Sequence, residues 1–463
     1  MANLLGNSVF GLVLLGAGGL AAGADARVML REAARLNEST RVLVALKAEG
    51  LYLPGPPPGA SKAEAAKPLA LRVETRLDFG ERVIKVNADG LAQRAVRRVV
   101  QAASAINGQI RPSASALRHE VALLVAESRD GRVDVFSPGG PLTRAELEVV
   151  QGPADPLLLA RLLSPKPVAK GDHWQVADEA ARSLSGYDTL SVNTLRATLE
   201  SLDDESARVR LSGEVKGSVL GGEGTIHCEG SFTFDRKAER IAALTLKRSE
   251  VRKAGPVEAG LDLKSTLNVT RRPIPMPKAL SDPVLATVST DPNSLQEQIL
   301  LAPPGSKYSL KHDRSWHVYW DDPRQTVLKR LDHGVVVAQC NLALGPKAGK
   351  GQHQDLEQFR GDLRRALGPR FVEILGEGEV AGDPAGGFRY KVGARGREGE
   401  LGVIWYYYLV ASPEGEQLLG TFTLAEKDAN TFGEQDVQMI GSLTWNETTK
   451  ETTPKTDANG GKK

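Results

Sequence analysis

Between residues 41 and 271, apolar and charged side chains alternate with a period of two, run after run. Leu71, Val73, Thr75, Leu77 and Phe79 alternate with Arg72, Glu74, Arg76 and Asp78. Ala207, Val209 and Leu211 alternate with Arg208, Arg210 and Ser212, and Leu261, Leu263, Leu267 and Val269 with Asp262, Lys264, Thr266 and Asn268. Successive residues of a strand point to opposite faces, so each run carries one apolar and one charged face. Such strands belong to an antiparallel sheet with one side in water. The apolar side needs a cover. Two stretches have the helical spacing to provide one. The first is 91 to 106, through Leu91, Ala95, Val99, Ala102 and Ile106, and a shorter one lies around Pro156 to Leu163. In the first, Arg94, Arg97 and Arg98 fall away from the apolar stripe, as on a solvated helix face. Residues 53 to 67, with Pro56-Pro57-Pro58, read as an exposed insertion.

At 463 residues the chain has room for two domains and tails. Residues 9 to 22 carry no charge and no proline, the length of a signal-peptide core and short of the ~20 residues that span a membrane. Ala22-Gly23-Ala24 and Ala24-Asp25-Ala26 both fit an A-x-A cleavage site, and no cysteine stands near to take a lipid. No Lys or Arg precedes the apolar core, a departure from the usual pattern. The expectation is a signal peptide over 1–26 and an exported mature chain, periplasmic or extracellular, with no transmembrane helix. Cys228 and Cys340 fall in phase with the apolar residues of two separate runs, which predicts two buried thiols rather than a disulfide.

Residues 27–271 thus read as an antiparallel β-sheet domain with covering helices. Its strand count and covering helices loosely resemble the periplasmic half-barrel carriers of the LolA/LppX type. That resemblance implies a sheet that grips an apolar ligand. Residues 272–305 form a linker: four prolines fall within 271 to 283, and a short helix is expected near 294 to 301. In 306–445 strands alternate with helices. One helix has the stripe Leu356, Phe359, Leu363 and Leu367, stopped by Gly368-Pro369, and a final one turns Phe432, Val437, Ile440 and Leu443 inward. The order of elements, Asp313-Arg314-Ser315-Trp316 near the start and the closing Gly441-Ser442-Leu443-Thr444-Trp445, resembles the PsbP-like α/β/α sandwich. That resemblance implies a module that binds partner proteins. Residues 446–463 are polar and read as a disordered tail. The fold class expected is α+β.

The sequence offers little chemistry. Basic and acidic residues number 59 and 57, a net charge of +2, which supplies no broad field for nucleic acid. Zincin, C-x-x-C, G-x-S-x-G and Walker patterns are missing. Gly376-Glu377-Gly378-Glu379 fits a permissive dinucleotide fingerprint, but a strand follows it, so it reads as a hairpin connection. Gly171-Asp172-His173-Trp174 reads as a turn that sends Trp174 into the core rather than as a catalytic Asp-His pair. Trp405-Tyr406-Tyr407-Tyr408 splits into two pairs on opposite faces of one strand. If Asp321 pairs with Arg324, the extended register sets His312 opposite His333 and Asp313 opposite Asp332, residue types able to bind zinc. Arg314-Ser315 reads as a turn, and neighbouring residues point to opposite faces, so ordinary turn residues and no metal are expected. No catalytic, cofactor or metal residue is assigned. The function expected is a non-enzymatic binding protein for an apolar ligand or partner protein; the alternative is an enzyme or metal protein whose site comes from distant strands.

Overall fold

The computed structural model describes residues 27–54, 67–110, 112–291, 293, 295–303, 305–380 and 387–446. The apolar leader, the tip of the proline-rich insertion and the polar tail lie outside them. The first unit opens with three long strands, β1 (Ser39–Leu53), β2 (Leu69–Val86) and β3 (Ala92–Gly108). Short strands follow: β4 (Ser113–Ala116), β5 (Leu123–Arg129), β6 (Arg132–Phe136) and β7 (Leu142–Thr143). Three helices come next, α1 (Arg144–Val150), α2 (Pro156–Leu159) and α3 (Asp178–Ser185), with β8 (His173–Gln175) between the last two. The unit closes with β9 (Thr189–Asn193), β10 (Arg196–Leu202), β11 (Ser206–Val219), β12 (Gly222–Asp235), β13 (Arg240–Arg252) and β14 (Gly260–Pro273).

All of these strands but β7 make one antiparallel sheet in the order β6-β5-β3-β2-β1-β14-β13-β12-β11-β10-β8, with β4 paired to β3 and β9 to β11. The expected alternation holds. Leu77, Phe79, Val209, Leu211, Leu267 and Val269 are buried on one face, and the charged positions between them reach the other. The cover differs from expectation in one place: residues 91 to 106 are strand β3, not a helix. Its pairing with β2 slips by one residue between Asp78 and Phe79, opposite Gln101 and Val99. That bulge carries the inward face from Ala95-Arg97-Val99 to Ala102-Ser104-Ile106. The resulting spacing of four, then three, then four imitates a helix. Arg97 therefore points into the core at 2% exposure instead of into water. The cover comes from α1, α2 and α3, with Leu147, Leu157, Leu158, Leu162 and Leu184 in one cluster with Val209, Leu211, Phe232 and Leu244. Each apolar residue so buried contributes roughly 1.5–3 kcal/mol.

The proline-rich segment docks on the first unit. Leu280 is fully buried with Val96, Val125 and Phe136, and Arg82 donates to the Leu280 carbonyl at 2.7 Å. A short helix, α4 (Asp282–Leu285), lies here; the helix expected near 294 to 301 is instead a turn and strand β15 (Ile299–Leu301).

The second unit holds β16 (Tyr308–His312), β17 (Trp316–Asp321), β18 (Gln325–Asp332), β19 (Val335–Leu344), α5 (Leu356–Leu367), β20 (Phe371–Glu379), β21 (Phe388–Glu398), β22 (Leu401–Ala411), β23 (Gln417–Ala425), α6 (Ala429–Phe432), α7 (Gln435–Gly441) and β24 (Thr444–Trp445). Seven strands form a sheet in the order β17-β18-β19-β23-β22-β21-β20. On one face Phe359 and Leu363 of α5 pack with Tyr390, Val392 and Leu409. On the other, Phe432, Met439 and Ile440 pack with Leu328, Phe422 and Tyr408. The arrangement is an α/β/α sandwich, and the whole chain is a mostly-β α+β protein. The final helix breaks at Gly433, where φ is 59°, and Leu443 is buried just beyond α7.

Candidate functional site

Long twisted strands make a saddle: a sheet that curls around its core along one diagonal is concave outward along the other. Here the outward hollow is a trough on the charged face, about 680 Å³ over β12, β13, β14, β1 and β2. A second hollow of about 580 Å³ extends it toward β3, sharing Glu49, Arg72 and Lys264. A third, about 380 Å³, extends it toward β10, sharing Glu229 and Lys247.

Cross-strand register sets the order of charges along the floor. Glu74, Lys47, Thr266, Lys247 and Glu229 lie side by side on successive strands, and beside them run Arg72, Glu49, Lys264, Ser249 and His227. Neighbouring opposite charges support the sheet by a few tenths of a kcal/mol each. Lys47 and Glu74 approach to 3.5 Å, and His227 and Glu214 to 3.3 Å. The trough offers ammonium, carboxylate, hydroxyl and imidazole groups in alternating sign, so it carries little net field. Gly50, with φ at 153°, stands at its upper end, where a Cβ would lie 2.0 Å from the Asp262 carbonyl oxygen. Only glycine admits that approach.

The first unit's core has an ionic anchor. Arg97 donates to both Asp155 oxygens at 2.8 and 2.6 Å and to Glu81 at 2.8 Å, with its guanidinium 4.9 Å from the Phe79 ring centre. Asp155 also caps α2 by accepting from the Leu157 amide at 3.0 Å. In the second unit Asp436 is 1% exposed. Its Oδ2 accepts from Tyr408 at 2.7 Å and pairs with Lys391 at 2.5 Å, while its Oδ1 is buried without a partner. Burial, then the Asp436 charge, pushes the Tyr408 hydroxyl far up. Sequence reading missed both clusters, because each joins residues far apart in the chain. The one local signal is an arginine or aspartate in phase with apolar neighbours.

Most of the residues singled out by sequence serve the fold. Asp172 accepts from the Ala169 amide at 3.0 Å and pairs with Arg27, while Trp174 packs on the core and donates to the Leu162 carbonyl at 2.9 Å. Asp-His-Trp is a turn and a short strand. Trp405 and Tyr407 join Leu367 and Val403 on the α5 side, and Tyr406 and Tyr408 the opposite layer, so packing occupies both pairs. Gly376 to Glu379 end β20, which pairs antiparallel with β21. His312 and His333 are not opposed. The hairpin pairs Trp316 with Arg330 and Asp321 with Thr326, whereas His312 sits on β16, which pairs with β15 and β24. His312 is buried at 3% exposure, and His333 stands in an exposed turn beside Asp332 at 2.8 Å. Both cysteines are free and buried.

No family model and no curated protein matches the chain. Among solved structures it is similar to cyanobacterial PsbP from Synechocystis sp. PCC 6803, at 14% identity over 32% of this chain and 93% of that one, with a TM-score of 0.26. A Bacteroides thetaiotaomicron protein is 11% identical over 30% of this chain and 46% of its own, TM-score 0.22, so the chain spans less than half of it. Lipovitellin is 11% identical over 53% and 26%, TM-score 0.29. These are weak structural resemblances, and no property is carried over from them. Among the described residues no helix is long and apolar enough to cross a membrane.

Proposed function

We propose that the chain is an exported binding protein whose large sheet holds a partner protein against the charged trough. One observation carries this reading: a hollow of about 680 Å³ lies on the polar side of the sheet and is floored by side chains of both signs. A protein surface supplies alternating charges and hydroxyls in kind, and complementary patterns of that sort set register and on-rate. The same floor disfavours the apolar ligand that the half-barrel resemblance implies. Burying Lys47, Lys247, Glu49 and Glu229 under hydrocarbon costs far more than it returns. On the inner face α1, α2 and α3 pack directly on the sheet. Export rests on the uncharged run 9 to 22 and the two A-x-A sites after it.

A photo-crosslinking residue at Thr266, on the trough floor, tests the reading in the source cells. A discrete adduct is expected, and it is expected to vanish in the Lys247→Glu, Lys264→Glu variant. An adduct that survives the charge reversal, or none at all, overturns the trough as the binding face. Terminal sequencing of the product is expected to begin after Ala24 or Ala26; a start at Met1 or Ala2 overturns export with cleavage.

A further inference from the structure

Reciprocal arginines hold the seam between the two units. Arg144, at the start of α1, donates to the carbonyls of Arg314 at 2.9 Å and Trp316 at 3.0 Å. Arg314 answers from the second unit, donating to Val135 at 2.6 Å and Glu297 at 2.7 Å. Between them β7 and β15 make a two-residue parallel pairing. Farther along, Lys329 donates to the Pro256 carbonyl at 3.0 Å, and the Gly334 carbonyl oxygen lies 2.2 Å from where a Cβ on Gly221 would stand. Both arginines spend these bonds on carbonyls rather than on carboxylates, which act on them only from a distance. Burial lowers both guanidinium pKa values, and the Arg314 charge lowers that of Arg144 further.

His312 and His317 enter the same seam. His312 is buried on β16 and donates from Nδ1 to the Asp313 carbonyl at 2.8 Å; His317 is half-buried on β17. Facing them are Arg144 from α1 and Asp313 from the turn between β16 and β17; Arg144 in turn faces Glu148 of α1, Arg314 of the turn and Glu258 from the loop before β14. Arg330 of β18 acts on Asp313, and Asp134 of β6 and Glu297 on Arg314. From α7, which packs on β16, Asp436 is already committed to Lys391. We propose that this seam is an acid-released latch: protonation of His312 and His317 sets two more positive charges beside Arg144 and Arg314, and the units part.

Desolvation, reinforced by Arg144, holds both imidazoles down to about 4 in the docked state. Freed, they titrate near 6.5. The parted state therefore binds more protons, so docking is complete above pH ~6.5 and weakens as the pH falls toward ~4. Asp313, whose carboxyl is held low by Ser315, Arg330 and Arg314 of its own unit, keeps those partners when the units part and does not enter the balance. Glu148 opposes the release, because desolvation raises its carboxyl. One carboxyl stands against two imidazoles, and acid release prevails. The interval from about 4 to 6.5 bounds the effect at roughly 300-fold per histidine, reached where parting relieves all of its burial.

Small-angle scattering of the full chain at pH 7.5 and 4.5 tests the latch, with amide exchange at Leu300 as a local readout and near-ultraviolet dichroism to confirm that both units stay folded. Wild type is expected to expand and lose Leu300 protection at pH 4.5. His312→Gln, His317→Gln is expected to stay closed, and Arg144→Gln to be loosened at both pH values. Should the buried His312 change impair folding, His317→Gln alone is expected to move the opening midpoint downward. Equal dimensions at the two pH values, or opening of the glutamine variants at the wild-type midpoint, overturns the proposal.

Discussion

Arg97 on β3 and Asp155 at the head of α2 form a two-pronged ion pair at 2.6 and 2.8 Å, with both side chains removed from solvent. The pair fastens the covering helices to the sheet at one point. The strength of a buried pair lies less in its own attraction than in the cost of losing half of it.

Arg97→Met leaves Asp155 buried with no ion-pair partner and breaks the Glu81 pair, and is expected to cost about 3–5 kcal/mol. Asp155→Asn keeps the helix cap and the Glu81 contact, so it is expected to cost less. Urea midpoints of the two variants check the order; equal losses would count against the pair as anchor.

Gly50→Ala places a methyl group on the Asp262 carbonyl oxygen at an unfavourable φ, and a loss of about 1–3 kcal/mol is expected. Gly376→Ala meets nothing within 4 Å and is the matched control, expected within about 0.5 kcal/mol of wild type. Thermal melts of the two proteins make the comparison.

The thiols are expected to be silent in the native state. Burial raises Cys228 to about 11 and Cys340 well above its ordinary value, so neither forms thiolate near neutral pH. A thiol reagent is expected to titrate both in denaturant and neither before it, and reduction is expected to leave electrophoretic mobility unchanged. Rapid reaction of one equivalent with native protein contradicts this.

In the second unit, Lys391→Met strands the Asp436 carboxylate in the core and is expected to cost about 3–5 kcal/mol. Adding Asp436→Leu is expected to recover part of that loss. A double-mutant cycle read by denaturation measures the coupling; simple additivity would place the two side chains in independent roles.

Period-two alternation made the long strands readable, because one wet face stamps itself on every second residue. It also foretold the buried cysteines and the division of Trp405 to Tyr408 between two faces, while the Asp172 turn was legible from Gly171-Asp172-His173-Trp174 itself. The reading failed at β3, where one bulge converts strand phase into helix spacing over Ala95, Val99, Ala102 and Ile106. The turn read at Arg314-Ser315 does keep His312 from facing His333, as expected; what escaped the reading is that His312 is buried on β16 rather than exposed in that turn. The trough could not be foreseen. Lys47, Lys247 and Glu229 come from three distant segments, and their alignment follows from register and twist, which no local pattern records.

A sheet is a wall one residue thick, and here it is shared. The backbone beneath Thr266 and Lys247 floors the trough on one side; its next residues, Leu267 and Leu246, roof the core on the other. Whatever flattens or deepens that hollow must also shift the side chains packed against α2 and α3. The interior of this protein is therefore a pressure gauge for its exterior, and a signal from a buried methyl group can report what touches the outside.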